Sequence, residues 1–282
     1  MTPELFIHVG IRKSATTWLQ SRVFPHLDGV NYLGKTEALY PKWLLDWHYL
    51  DDFAFEDARA QLSSKLAGEL RPGINLISSE AFTNTGVIWQ QAHRIAALWP
   101  AARIIVTLRD PLEVILSHYR LDVMDGIHVR PLEECLDWSR TPYDLMKRRP
   151  IYLPDLFFGE MVGLYQRLFG ADRVQVLRYE RLKSDPSGFV NQLVEFVGCT
   201  VDSQSVMHAA AVRANASAPD EVVQRARARN AFRLMQDAFP RGAAAIDQVA
   251  LEADALRNPV MDDALRIRLV GYFKGRCHGY FE

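Results

Sequence analysis

The sequence predicts an α/β protein in three layers, a parallel sheet of about five strands flanked by helices. Two observations carry that prediction. Short apolar runs at Leu5–Val9, Ile74–Ser78, Ile104–Leu108 and Arg173–Leu182, the last turning at its end, alternate with helix-length segments. That order builds parallel strands joined by crossover helices. Twice, at residues 5–20 and 104–120, an apolar run passes through a short polar turn directly into a helix.

Taken in order, Leu5–Val9 suits a buried parallel strand, and Gly10 permits a sharp exit from it. A helix follows from about Thr16 to Phe24, ended by Pro25. Residues 29–34 read as a short strand. Asp57–Leu70 is helical and is broken by Arg71-Pro72-Gly73. Strand Ile74–Ser78 leads to helix Gly86–Trp99, closed by Pro100. Strand Ile104–Leu108 is followed by a helix that Asp110 caps and Pro111 begins. Residues 121–153 are the least regular stretch. Helix Pro154–Gly170, the strand and turn of Arg173–Leu182, and a helix opened by Asp185-Pro186 and running to Gly198 complete the alternation. Asp220–Phe239 and two segments near 243–257 and 261–273 are helical. No repeat or low-complexity linker appears, so residues 1–282 are expected to form one domain.

Composition narrows the function. The chain has 282 residues, 49% hydrophobic and 24% charged, with a formal net charge of −1. That is a globular composition, without the basic field that nucleic acid or an anionic membrane would need. Cys135, Cys199 and Cys277 are odd in number and widely spaced, unlike a zinc site or a disulfide framework. No apolar run reaches the ~18 residues of a membrane span. No basic stretch precedes an apolar one at the N-terminus. A cytoplasmic protein is expected.

Two stretches carry chemistry. In Gly10-Ile11-Arg12-Lys13-Ser14-Ala15-Thr16-Thr17-Trp18, short hydroxyl residues gather at a helix start, where unpaired N–H groups and the helix dipole attract an anion. Lys13 adds a mobile cation. This is not the usual nucleotide loop, Gly, four residues, then Gly-Lys-Ser/Thr, because Lys13 stands three residues after Gly10. A plain strand–loop–helix with a solvated lysine is the alternative. In the second stretch, Arg109 ends a strand and Ser117 lies two turns into the next helix. A forked guanidinium and a rotating hydroxyl make a phosphate clamp, though an Arg–Asp pair at a helix cap would look the same. Glu80, at the carboxyl end of Ile74–Ser78, is placed to take a proton from an acceptor. It could equally be a helix-start acid or a partner of Lys13. Arg225, Arg229 and Arg233 form a basic helix face, of the kind usually solvated.

Lys13-Ser14-Ala15-Thr16-Thr17-Trp18-Leu19 resembles the 5′-phosphosulfate loop of sulfotransferases that use 3′-phosphoadenosine-5′-phosphosulfate (PAPS). Arg109-Asp110-Pro111 with Ser117 resembles their 3′-phosphate motif. The resemblance runs from about Leu5 to Ser217 and implies a P-loop-like fold. It implies PAPS as donor, 3′-phosphoadenosine-5′-phosphate (PAP) as product, a hydroxyl acceptor and no metal. Gly10, Lys13, Ser14, Ala15, Thr16, Thr17, Trp18, Arg109 and Ser117 are then expected at the nucleotide, and Lys13 and Glu80 at the reaction. By chain order Arg178, Arg213, Asn215 and Ser217 join the nucleotide site. Asp46 and His48 are other base candidates, and Lys35 another site lysine. Acceptor specificity is expected in residues 36–56 and 121–153, ahead of a helical part at 219–282. Bacterial and Golgi carbohydrate sulfotransferases suggest a carbohydrate acceptor. Two other classes stay open: a kinase or NTPase using ATP–Mg, with Glu80 serving the metal, and a non-catalytic anion-binding protein.

Overall fold

The computed structural model describes residues 2–34, 50–83, 87–138, 151–202, 218–238, 248–256, 259–277 and 280. The described chain forms two compact units. One comprises Met1–Asp110, Phe157–Ala214 and Cys277–Phe281; the other comprises Pro111–Leu156 and Asn215–Arg276.

The first unit holds the predicted parallel sheet. Its strands are β1 (Pro3–Gly10), β2 (Val30–Tyr32), β3 (Gly73–Ser78), β4 (Arg103–Leu108) and β5 (Val174–Arg178). They lie in the order β2-β3-β1-β4-β5, each pair parallel. The chain thus starts in the middle of the sheet, adds two strands on one side, then two on the other. Such a reversal beyond the carboxyl end of β1 is the general ligand position in open α/β sheets.

Strand parity decides what each face buries. Phe6, Leu76, Ile105 and Leu177 turn to one face and join Trp18, Leu19, Phe24, Phe189, Leu193 and Val197 in a buried cluster. Ile7, Ile104 and Val106 point the other way and are also fully buried. Near-continuous apolar strands are the signature of a sheet covered on both sides.

The helices are α1 (Asp52–Glu69), α2 (Ile88–Leu98), α3 (Pro111–Met124), α4 (Phe158–Phe169), α5 (Tyr179–Ser184), α6 (Pro186–Val197), α7 (Asp220–Ala238), α8 (Gln248–Ala255) and α9 (Asp263–Phe273). α4 packs on β4, β5 and α2. Asp185 caps α6, accepting the Gly188 N–H at 2.8 Å, and Gly198 closes it in the left-handed region at φ 79°.

Three elements differ from the sequence reading. α1 begins at Asp52 rather than Asp57, because Asp51 caps it by accepting the Ala54 N–H at 2.8 Å. Its first turn carries a Phe53 that is 87% exposed, so no apolar stripe announces it. The helix after the loop makes one α turn, Thr16–Trp18, widens to a π turn over Leu19–Val23, and tightens to a 3₁₀ turn, Phe24–His26, with Pro25 inside it. Residues 179–182 form part of α5, not a turn. Pairing with β4 ends at Leu108↔Arg178, and the chain is free to coil from Tyr179 onward.

In the second unit, α3 packs against α7 and α9. Asn230 Nδ2 donates to the Val123 carbonyl at 2.7 Å, and Arg120 pairs with Asp220 at 2.6 Å. The irregular stretch contains a 3₁₀ turn, Leu132–Cys135, and a short parallel pairing of Leu136–Asp137 with Ile151–Tyr152. His128, stacked on Tyr119, pairs with Asp122 at 3.3 Å. The Asp122 carboxylate, accepting from the ring, and Cys135 beside it push the His128 imidazole up to about 9. Arg225, Arg229 and Arg233 are exposed on α7 as expected, and Arg225 pairs with Glu221 at 2.9 Å. Among the described residues, no helix is long and apolar enough to cross a membrane.

Candidate phosphate-loop site

The loop leaves β1 at Gly10, where no side chain fits. A Cβ there would sit 2.2 Å from Thr16 Cγ2, 2.9 Å from His8 Cε1 and 3.0 Å from Thr107 Oγ1. The following turn passes through two left-handed residues that are not glycine, Lys13 at φ 69° and Ala15 at φ 66°. Each such residue costs roughly 1–2 kcal/mol and persists where surrounding contacts enforce it.

Ser14 supplies those contacts. Its N–H donates to the Ile11 carbonyl at 3.2 Å, and its hydroxyl donates to the same carbonyl, closing the turn around Arg12 and Lys13. Its Oγ also lies 3.0 Å from Thr107 Oγ1, and the Ile11 N–H donates to the Thr107 carbonyl at 3.3 Å. Ser14 is 1% exposed, so its hydroxyl faces the sheet rather than a ligand. Trp18 likewise turns its indole into the core, 6.4 Å from the Phe189 ring. The sequence reading set both residues at the nucleotide; the structure buries both side chains. Thr17 is exposed, while Lys13 and Ala15 are half-buried. At a helix start the first N–H groups find no acceptor within the helix, so the backbone of residues 15–17 presents donors here.

Thr16 is buried and its hydroxyl donates to Glu80 Oε1. Glu80 opens a 3₁₀ turn, Glu80–Thr83, just past β3. Thr83 Oγ1 fixes that turn to β1 by donating to the Gly10 carbonyl at 2.8 Å. The predicted carboxylate and the predicted loop therefore meet, at neighbouring strand ends.

Arg109 reaches the loop from β4: its Nη1 donates to the Lys13 carbonyl at 3.0 Å, and its guanidinium lies 4.8 Å from the Tyr179 ring centre. Lys183 Nζ lies 4.9 Å from the same ring, and Glu180 accepts the Asp110 N–H at 2.9 Å. Arg178 is exposed at the end of β5 and pairs with Glu180 at 3.9 Å. Ser117 is a buried residue of α3, in the other unit. Lys35, Asp46, His48, Arg213, Asn215 and Ser217 lie outside the described residues.

Sequence reasoning missed a buried polar row beneath the loop. His8, two residues before the carboxyl end of β1, is fully buried, with Nδ1 2.7 Å from Ser78 Oγ and Nε2 3.1 Å from Thr107 Oγ1. Gln20 Nε2 donates to Ser78 Oγ at 2.9 Å. The signal was present: each of three neighbouring apolar strands carries one polar residue near its carboxyl end, and register sets His8 opposite Ser78 and Gly10 opposite Thr107.

Burial holds the His8 imidazole down at about 3, so it is neutral in the folded protein. The unfolded chain takes up that proton below about pH 6.5, so stability falls with pH from there to about 3, by up to ~1.4 kcal/mol per pH unit. His128 acts with the opposite sign: its raised value adds stability that is full below about pH 6.5 and is lost as pH rises through 9. Melting temperature across pH should therefore fall on both sides of neutrality. His8→Gln should flatten the acid limb and His128→Gln the alkaline one; unchanged limbs would contradict these assignments.

A sulfotransferase from Alicyclobacillus acidocaldarius shares the fold, with 20% identity, a TM-score of 0.51, and coverage of 94% of this chain and 99% of that one. A mouse sulfotransferase complexed with PAP aligns at 14% identity and a TM-score of 0.45, covering 99% of this chain and 84% of the mouse protein. Among curated proteins, none matches in sequence. The description that does match, over residues 3–203, is the sulfotransferase family. With the matched span reaching from β1 past β5 and taking in the phosphate loop, Glu80 and Arg109, the chain belongs to the sulfotransferase family.

Proposed function

We propose that this sulfotransferase moves the sulfuryl group from PAPS to a hydroxyl acceptor and releases PAP. The observation that carries the reading is the convergence of the Lys13 loop, Glu80 and Arg109 through direct hydrogen bonds, Thr16 to Glu80 and Arg109 to the Lys13 carbonyl. The backbone N–H groups of residues 15–17 hold the 5′-phosphosulfate. Arg109 binds the 3′-phosphate, and the Arg–Asp–Pro and Ser117 spacing supports Ser117 as its second donor. Arg178, Arg213, Asn215 and Ser217 complete the nucleotide site on the strength of chain order.

Sulfuryl transfer, like phosphoryl transfer, is mainly positioning and charge stabilisation. The acceptor oxygen attacks sulfur, the bond from sulfur to the bridging oxygen breaks, and charge grows on PAP. Lys13 neutralises that charge. Glu80 takes the acceptor proton, its carboxylate oriented by Thr16. No step requires a metal. A carbohydrate is the proposed acceptor, and the cytosol, where PAPS is made, the proposed compartment.

The test is PAP release from PAPS against a panel of carbohydrate, lipid, phenolic and peptide hydroxyls. Acceptor-dependent PAP release supports the reading; none across the panel contradicts it. Glu80→Gln should reduce turnover by about 100-fold or more while leaving PAP affinity nearly unchanged. Turnover close to wild type would remove Glu80 as the base.

A further inference from the structure

We propose that His8 is a positioning residue for Lys13, acting through a one-directional hydrogen-bond relay beneath the loop. The proposed direction starts at the Gln20 amide and is one that donor and acceptor capacity allow. Gln20 Nε2 has only protons to give, and one goes to Ser78 Oγ at 2.9 Å. Ser78 then gives its own proton to His8 Nδ1, 2.7 Å away. A neutral imidazole that accepts at Nδ1 carries its proton on Nε2, which faces Thr107 Oγ1 at 3.1 Å. Thr107 passes its proton to Ser14 Oγ at 3.0 Å, and Ser14 donates to the Ile11 carbonyl. Every hydroxyl in the row both accepts and donates.

The end of the relay gives it a purpose beyond filling the core. Ile11 and Ser14 bracket Arg12 and Lys13, and the Ser14 hydroxyl reinforces the turn that holds Lys13 at φ 69°. A left-handed lysine is unfavourable in isolation. It stays in place because the Ile11 carbonyl is fixed by a proton whose orientation is set four residues back along the relay. His8 is the one member that links two neighbouring strands, β3 and β4, across β1. The Cβ space missing at Gly10 is filled in part by its Cε1, so imidazole and loop fit each other directly.

The consequence for catalysis rests on the reading of this loop as the PAPS site, but the relay itself does not. The experiment therefore has a readout without ligand: amide hydrogen exchange of residues 11–17 relative to the amides of β1, β3 and β4. His8→Leu and Thr107→Val should each speed loop exchange about tenfold relative to the sheet, the loss expected from a buried hydrogen bond. The double variant should add little, because either change breaks the same relay. His8→Gln, which keeps a donor toward Thr107, should recover part of the protection; His8→Asn, which keeps only the acceptor toward Ser78, should not. PAP affinity should follow the same order. The proposal is overturned if loop exchange stays at the wild-type rate, or rises only in step with the whole sheet. It is also overturned if His8→Gln and His8→Asn behave alike. Should His8→Leu not fold, Thr107→Val and the His8→Gln/His8→Asn contrast decide the matter. Failure of the wild-type protein to bind PAP would overturn the proposed donor, while the exchange rates still judge the relay.

Discussion

Lys13→Ala should lose turnover by about 100- to 1,000-fold while holding PAP within about threefold of wild type, the loss typical when one donor to developing charge is removed. The split follows from where the loop places its groups. In the proposed function anion binding falls to backbone N–H groups at the helix start, which alanine leaves in place. The lysine side chain is needed when the bond to the bridging oxygen breaks and its charge appears. Alanine also retains access to the left-handed conformation no worse than lysine does, so the turn closed by Ser14 on Ile11 should persist. Steady-state kinetics with PAPS and calorimetry with PAP check both halves. Full turnover would remove Lys13 from the reaction; loss of PAP binding with turnover intact at saturation would make it a ground-state binding residue.

Arg109→Ala should show the reverse split, a loss of PAP affinity of about 10- to 100-fold, as expected for charge-assisted hydrogen bonds of roughly 1.5–3 kcal/mol. Arg109 follows the end of β4, and its guanidinium meets the Lys13 carbonyl at 3.0 Å and the Tyr179 ring at 4.8 Å. In the proposed function Arg109 both braces the loop and binds the 3′-phosphate. Arg109→Lys should therefore rescue poorly, since a single ammonium provides neither the planar stack nor two separated donors. Its effect should be larger on PAP than on 5′-AMP, which lacks the 3′-phosphate. Equal losses for the two nucleotides would make Arg109 a brace for the loop alone.

The parallel sheet was legible because each strand is a short apolar run ended by a turn or by a helix start, and because buried parallel strands need no alternation to be recognised. The placement of Lys13, Glu80 and Arg109 was legible because all three follow strand carboxyl ends, the edge where open sheets generally bind ligands. The direction in which side chains point was not. The loop motif sets Ser14 and Trp18 at the nucleotide but does not say where their side chains turn: Ser14 bonds inward to Ile11 and Thr107, and Trp18 packs on Phe189. His8 was hidden for the converse reason. Within Leu5–Val9 it reads as one polar residue in an apolar strand. Its partners stand 70 and 99 residues away, at Ser78 and Thr107, and only strand order and register bring them together. α5 escaped notice because β5 stops where its pairing with β4 stops, a limit set by the neighbouring strand.

The most direct test of the central claim is a calorimetric comparison of PAP, 5′-AMP and ATP–Mg on the wild-type protein under one set of conditions. A site that holds phosphates at both ends of an adenosine should bind PAP tightest, with 5′-AMP weaker by about 10- to 100-fold for the lost charge-assisted bonds, and ATP–Mg weaker than PAP. ATP–Mg binding tighter than PAP would contradict a PAPS-dependent sulfuryl transfer and turn the loop into a nucleoside triphosphate site.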